Sequence, residues 1–195
     1  MKVKLRIVGI GNSIVNGFPL KRSECFLSVI REATGHEVIN KGINGETTED
    51  IVKRFSRDLL FHCPDIGILM AGTNDFIYEK GTPEEAMKNI EWMVRKMEEE
   101  KIRPVILTPL FLDADMAAAH WRAGTGVDYR RVNEEQKALG RLIISRYPEY
   151  AVDTQNSFLE ATEKIRRADI YVDGLHPTAE AHKIIAKIIR DELFK

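Results

Sequence analysis

Short apolar runs that stop at glycine alternate along the chain with apolar residues spaced three and four apart. Val3–Ile10 ends in an apolar run and halts at Gly11, the pattern of a strand covered on both faces. From Glu24 to Thr34, Phe26, Ile30 and Ala33 share one helical face, and Gly35 supplies a C-terminal stop. Glu37–Asn40 reads as a short strand. Thr47 with Asp50 three residues later predicts a capping box, and Ile51, Phe55 and Leu59 continue as a helical stripe. Asp65–Ala71 is the next strand. Thr82 then caps a helix that Pro83 opens, with Glu85 reaching back and Ala86, Ile90, Met93 and Met97 inward. Arg103–Leu110 reads as a fourth strand, Asp128–Tyr147 as a helix and Tyr150–Asp153 as a short strand. The last helix, Thr178–Leu193, buries Ile184, Ile185, Ile188 and Ile189. Strands and helices in alternation predict a mostly parallel five-stranded sheet between two helical layers, a three-layer α/β/α sandwich. In such sheets ligands bind beyond the carboxyl ends of the strands.

Composition narrows the function. The 195 residues are 44% hydrophobic and 30% charged with a net charge of −1, so no broad field draws nucleic acid or anionic lipid. Lys2, Lys4 and Arg6 break up the N-terminal apolar residues, and no apolar run approaches the ~20 residues that span a bilayer. The expectation is a cytoplasmic protein without a membrane span. Cys25 and Cys63 show no metal-type spacing and read as buried, reduced thiols.

Polar turns follow three strands: Gly9-Ile10-Gly11-Asn12-Ser13-Ile14, Asn40-Lys41-Gly42-Ile43-Asn44-Gly45 and Gly72-Thr73-Asn74-Asp75. A parallel sheet brings all three to one edge, where Asp173-Gly174-Leu175-His176-Pro177 could join them. A serine hydroxyl needs an adjacent base, and a histidine, with its ordinary pKa of ~6.5, can be that base. Histidine in turn needs a carboxylate to fix its tautomer, and Asp173 lies three residues before His176. The backbone N–H groups of Ser13 and Gly45 and the Asn74 amide would supply an oxyanion hole. Leu110, Phe111, Leu112 and Trp121 suggest an apolar wall, with Phe111, Trp121 and Leu175 expected to touch substrate. Asp113–Gly126, longer than most connections, reads as a lid with helix-forming residues at its middle and Gly124 and Gly126 at its exit. His36, His62, His120 and His182 read as surface or loop residues.

These segments, in this order, resemble the SGNH (GDSL-like) hydrolases. Gly11-Asn12-Ser13-Ile14 looks like the first block of that superfamily. Gly45 matches the second block, Gly72-Thr73-Asn74-Asp75 the third, and Asp173-Gly174-Leu175-His176-Pro177 the Asp-x-x-His block; Tyr129–Asn133 resembles its Tyr-Asn segment. The resemblance implies one flavodoxin-like domain over residues 1–195 that hydrolyses esters or thioesters without cofactor or metal. The family's first block usually reads Gly-Asp-Ser, and position 12 here is Asn. The expected partner is a small-molecule ester, with a homo-oligomer left open. Two other readings share parts of the pattern: an acyltransferase using the same site, and a non-catalytic α/β ligand-binding module. A dinucleotide fingerprint fails, because Ile14 stands where its third glycine would be.

Overall fold

Arg6–Gly11 (β1), Glu37–Gly42 (β2), Ile66–Met70 (β3), Arg103–Leu107 (β4) and Ala151–Val152 (β5) pair in the order β2-β1-β3-β4-β5, and every pairing is parallel. The structure, a computed structural model, describes residues 4–121 and 126–193. Gly11 is level with Gly42 on one side and Met70 on the other. That register sets the ends of three strands, and the turns after them, at one edge.

Successive side chains of a strand point to opposite faces, and here each face meets its own helical layer. Ile66, Ile68 and Met70 join Phe26, Ile30, Ile185 and Ile189 in one core. Leu69 and Ala71 join Ile51, Phe55, Ile90 and Met93 in the other. The first layer holds Phe26–Thr34 (α2), Thr154–Thr162 (α8) and Ala179–Leu193 (α10), and the second holds Thr48–Asp58 (α3), Pro83–Glu99 (α5) and Tyr129–Arg146 (α7). Burying one large apolar side chain contributes ~1.5–3 kcal/mol, so Phe55, fully buried with its ring edge-on to Trp92, is a position where truncation would cost about 3–5 kcal/mol.

Thr47 and Thr82 each accept from the N–H three residues on, and Asp50 and Glu85 return the bond, so both predicted capping boxes form. Other expectations need correction. The fourth strand ends at Leu107, because Thr108 turns its hydroxyl to the Gln155 N–H and the start of α8. Cys63 is exposed, not buried: it closes a single 3₁₀ turn with φ 44°. His182 is no surface residue either. It is fully buried on α10, stacked on Phe26 and accepting the Phe26 N–H at Nδ1. His36 and His62 are half-buried and His120 is exposed.

Candidate active site

β1 delivers Ser13. The strand ends at Gly11, and Asn12 caps the four-residue helix Ser13–Asn16 (α1) by accepting the Ile14 N–H at 3.2 Å. Asn12 is buried and uncharged, and it performs the cap that an aspartate could also perform. Gly17, in the left-handed region at φ 89°, stops the helix after one turn. Phe18 then packs its ring edge-on against His176, 4.9 Å between centroids. Asn40, two residues before the end of β2, donates to the Val15 carbonyl and accepts the Gly42 N–H, locking the second turn onto α1.

The Asp173–His176 segment is a tight loop. Tyr171 and Pro177 form an antiparallel bridge across it, and the Val172 N–H donates to the His176 carbonyl at 2.8 Å. Gly174 at its apex has φ 86°, and a Cβ there would lie 2.3 Å from the Ala117 backbone nitrogen, so only glycine fits. The close neighbour is the helix Ala114–His120 (α6), whose preceding residue, Asp113, donates its N–H to the Gly174 carbonyl. The first part of the expected lid, Asp113 with α6, is thus docked on the loop that carries the histidine. Gly124 of the proposed exit lies outside the described residues.

Asp173 Oδ2 is 2.7 Å from His176 Nδ1, and His176 Nε2 is 3.0 Å from Ser13 Oγ. Asp173 Oδ1 also accepts the backbone N–H groups of Leu175 and His176 at 2.9 and 2.8 Å. Burial works to raise the Asp173 pKa, but these hydrogen bonds from His176 and Leu175 outweigh it and hold the carboxyl below its ordinary range. An ionised Asp173 only accepts, so Nδ1 carries the ring proton and Nε2 is left to accept from the serine hydroxyl.

Ser13 and His176 open onto a cavity of about 910 Å³ that Gly45 and Asn74 also line. Gly45 has φ 79°, a conformation strained for other residues. Asn74 is the second residue of the helix Thr73–Ile77 (α4) and donates one amide hydrogen to the Glu46 carbonyl at 2.9 Å, which orients its NH₂ and leaves the second hydrogen to point elsewhere. Asp75 does not face the histidine. Its carboxylate takes the Thr48 N–H and hydroxyl at the start of α3, and its burial raises its pKa.

Residues 10–184 match the model of the GDSL-like lipase/acylhydrolase family. The chain belongs to that family. It is accordingly a carboxylic ester hydrolase of SGNH type, with the α/β/α sandwich of its relatives. It is 26% identical over 170 residues to an acetylxylan esterase of Geobacillus stearothermophilus, covering 86% of this chain and 76% of that protein. It is also 26% identical over 178 residues to an uncharacterized lipoprotein of Bacillus subtilis (strain 168), covering 80% and 72%. Among solved structures, a G-D-S-L family protein from Desulfitobacterium hafniense DCB-2 superposes with a TM-score of 0.78 at 22% identity over 97% of this chain and 100% of that one. The acetylxylan esterase Axe2 of G. stearothermophilus gives 0.74 at 21% over 100% and 97%. Its structures include catalytic mutants at a serine, an aspartate and a histidine.

For this family member, the cavity sorts the expected substrate contacts. Trp121 and Leu175 line it, with the Trp121 ring 6.2 Å from that of His176. Phe111 does not. Tyr171 donates its hydroxyl to the Phe111 carbonyl at 2.6 Å, and this pins the segment to a separate groove with Asp113 and Arg167. Leu110 and Leu112 are buried in the two cores. Beside Trp121 and Leu175, the wall is made by Phe18, Ile77, Tyr78, Val127 and Tyr129. Tyr78 and Tyr129 lie beside or within recognised blocks, so adjacency was the signal that could have found them. Among the described residues no cluster of His, Cys, Asp and Glu could hold a metal ion, and no helix is long and apolar enough to cross a membrane.

Proposed function

We propose that the protein hydrolyses small acyl esters, acetyl esters of carbohydrates foremost, with Ser13 as nucleophile, His176 as general base and Asp173 as its orienting carboxylate. One observation carries this reading: the continuous chain of hydrogen bonds from Asp173 through His176 to Ser13, opening onto the cavity. As Ser13 Oγ attacks the ester carbonyl carbon, its proton passes to His176 Nε2, and negative charge gathers on the carbonyl oxygen. The N–H groups of Ser13 and Gly45 and the second Asn74 amide hydrogen receive that charge. Collapse breaks the bond to the leaving alcohol, which takes the proton from His176 and leaves an acyl group on Ser13. Water then attacks the acyl carbon, its proton passing to His176; the bond to Ser13 Oγ breaks, Oγ takes that proton back, and the carboxylic acid leaves.

The cavity exceeds an acetyl group many times over, so it has room for the alcohol as well. Its aromatic lining suits a sugar ring stacked on Trp121 or Tyr78, and the acetylxylan esterase among the relatives makes acetylated sugars the first substrates to try. The test is a panel of p-nitrophenyl esters of rising chain length beside acetylated xylo-oligosaccharides, assayed with wild type and Ser13→Ala. Acetyl esters should have the highest kcat/KM, and Ser13→Ala should hydrolyse none of them. A preference rising steadily with chain length would overturn the acetyl assignment.

A further inference from the structure

Arg54 is an arginine on α3 with only 6% of its surface exposed, and nothing in the apolar stripe of that helix requires a charge there. Its guanidinium has three partners. Nη2 donates to the Gly11 carbonyl at 3.1 Å, Nε to Glu46 Oε2 at 2.6 Å, and Nη1 to Asp58 Oδ2 at 3.2 Å. Gly11 is the last residue of β1, two before Ser13. Glu46 follows Gly45, and its backbone carbonyl is the acceptor that orients Asn74. A single side chain therefore braces the carrier of each oxyanion donor.

We propose that Arg54 is a positioning residue: its fork fixes the distance between the Ser13 turn and the Gly45–Glu46 segment, and through Glu46 the aim of the Asn74 amide. This rests on the oxyanion-hole reading above. Stability alone is a poor reason for the arrangement, since well-packed apolar residues usually replace a buried ion pair at no loss. Geometry is a better one. A planar guanidinium holds several acceptors at fixed angles, whereas an ammonium is a point charge on a flexible stem. Donors must sit within a few tenths of an ångström of the developing oxyanion, and a loosened brace would act on the transition state more than on bound substrate.

The test compares Arg54→Lys and the charge-balanced double variant Arg54→Met/Glu46→Gln with wild type, well below the Tm of each. Both should lose about 10- to 100-fold in kcat with KM changed less than about twofold. The inhibition constant of a boronic acid that becomes tetrahedral on the serine should weaken by a matching factor. Folded variants with kcat and boronate affinity within about twofold of wild type, whatever their Tm, would overturn the proposal. Should neither fold, Glu46→Gln carries the test: the same split at about 5-fold is expected, and unchanged kcat overturns the role. Ser13→Ala, run alongside, separates the two readings. If it keeps activity, the catalytic assignment fails and Arg54 with it; if it is inactive while the Arg54 variants are unimpaired, the positioning role alone fails.

Discussion

Ser13 and His176 are 163 residues apart in the chain, yet Ser13 Oγ and His176 Nε2 stand 3.0 Å from each other. Neither is held by the other. Asn12 and the end of β1 hold the serine; the Tyr171–Pro177 bridge and the contact of Gly174 with α6 hold the histidine. Removing one side chain of the pair should therefore leave the other in place, which makes single substitutions readable.

Asn74→Ala should lower kcat by roughly 10²–10³ with little change in KM, the loss expected for one donor that acts on the oxyanion. Steady-state kinetics on an acetyl ester checks it. An effect confined to KM would make Asn74 a substrate-holding residue instead.

Asp173→Asn should cost on the order of 10⁴ in kcat, because an amide can no longer hold the proton on Nδ1. Asp75 cannot take over, since both its oxygens serve Thr48. Activity within about tenfold of wild type would mean that the carboxylate is not needed to orient His176.

Trp121→Ala should move the acyl preference towards longer chains by about 10-fold in relative kcat/KM, with Tm nearly unchanged, because the ring lines the cavity beside His176 and is only half-buried. A fall in Tm of several degrees with the preference unaltered would show that the ring supports the fold alone.

His182 gives a pH dependence of stability. Burial first, and the nearby His176 second, press its pKa down from 6.5 to about 4. The unfolded chain thus binds a proton more readily than the folded one between those values, so stability falls as pH drops from about 6.5 to 4, by about 3 kcal/mol. His182→Asn keeps an acceptor for the Phe26 N–H and removes the titration, so its urea midpoint should vary less across that window. Parallel curves for the two proteins would contradict the assignment.

Much of this fold could be read in the sequence because its signals are local. Thr47 and Thr82 announce their helices with a partner three residues on, and Gly11, Gly45, Asn74 and His176 sit in short blocks. What escaped depends on long-range packing. α8 follows Asp153, which caps it by accepting the Asn156 N–H, but Phe158 is the one apolar side chain among its four buried residues. Phe111 reads as a wall residue until the Tyr171 hydroxyl, 60 positions away, is seen to fix its backbone. His182 reads as polar surface because its neighbour Phe26 lies at the other end of the chain. Arg54 looks like a solvated helix charge, since none of its three acceptors is distinguished by sequence spacing as a partner except Asp58, four residues on.

The claim on which the rest depends is that Ser13 carries the acyl group, and a fluorophosphonate probe tests it on the native enzyme. The probe should inactivate hydrolysis with one equivalent bound, and peptide mass mapping should place the adduct on Ser13, with no adduct in Ser13→Ala. Full inactivation with the label on another residue, or undiminished hydrolysis by Ser13→Ala, would contradict the account.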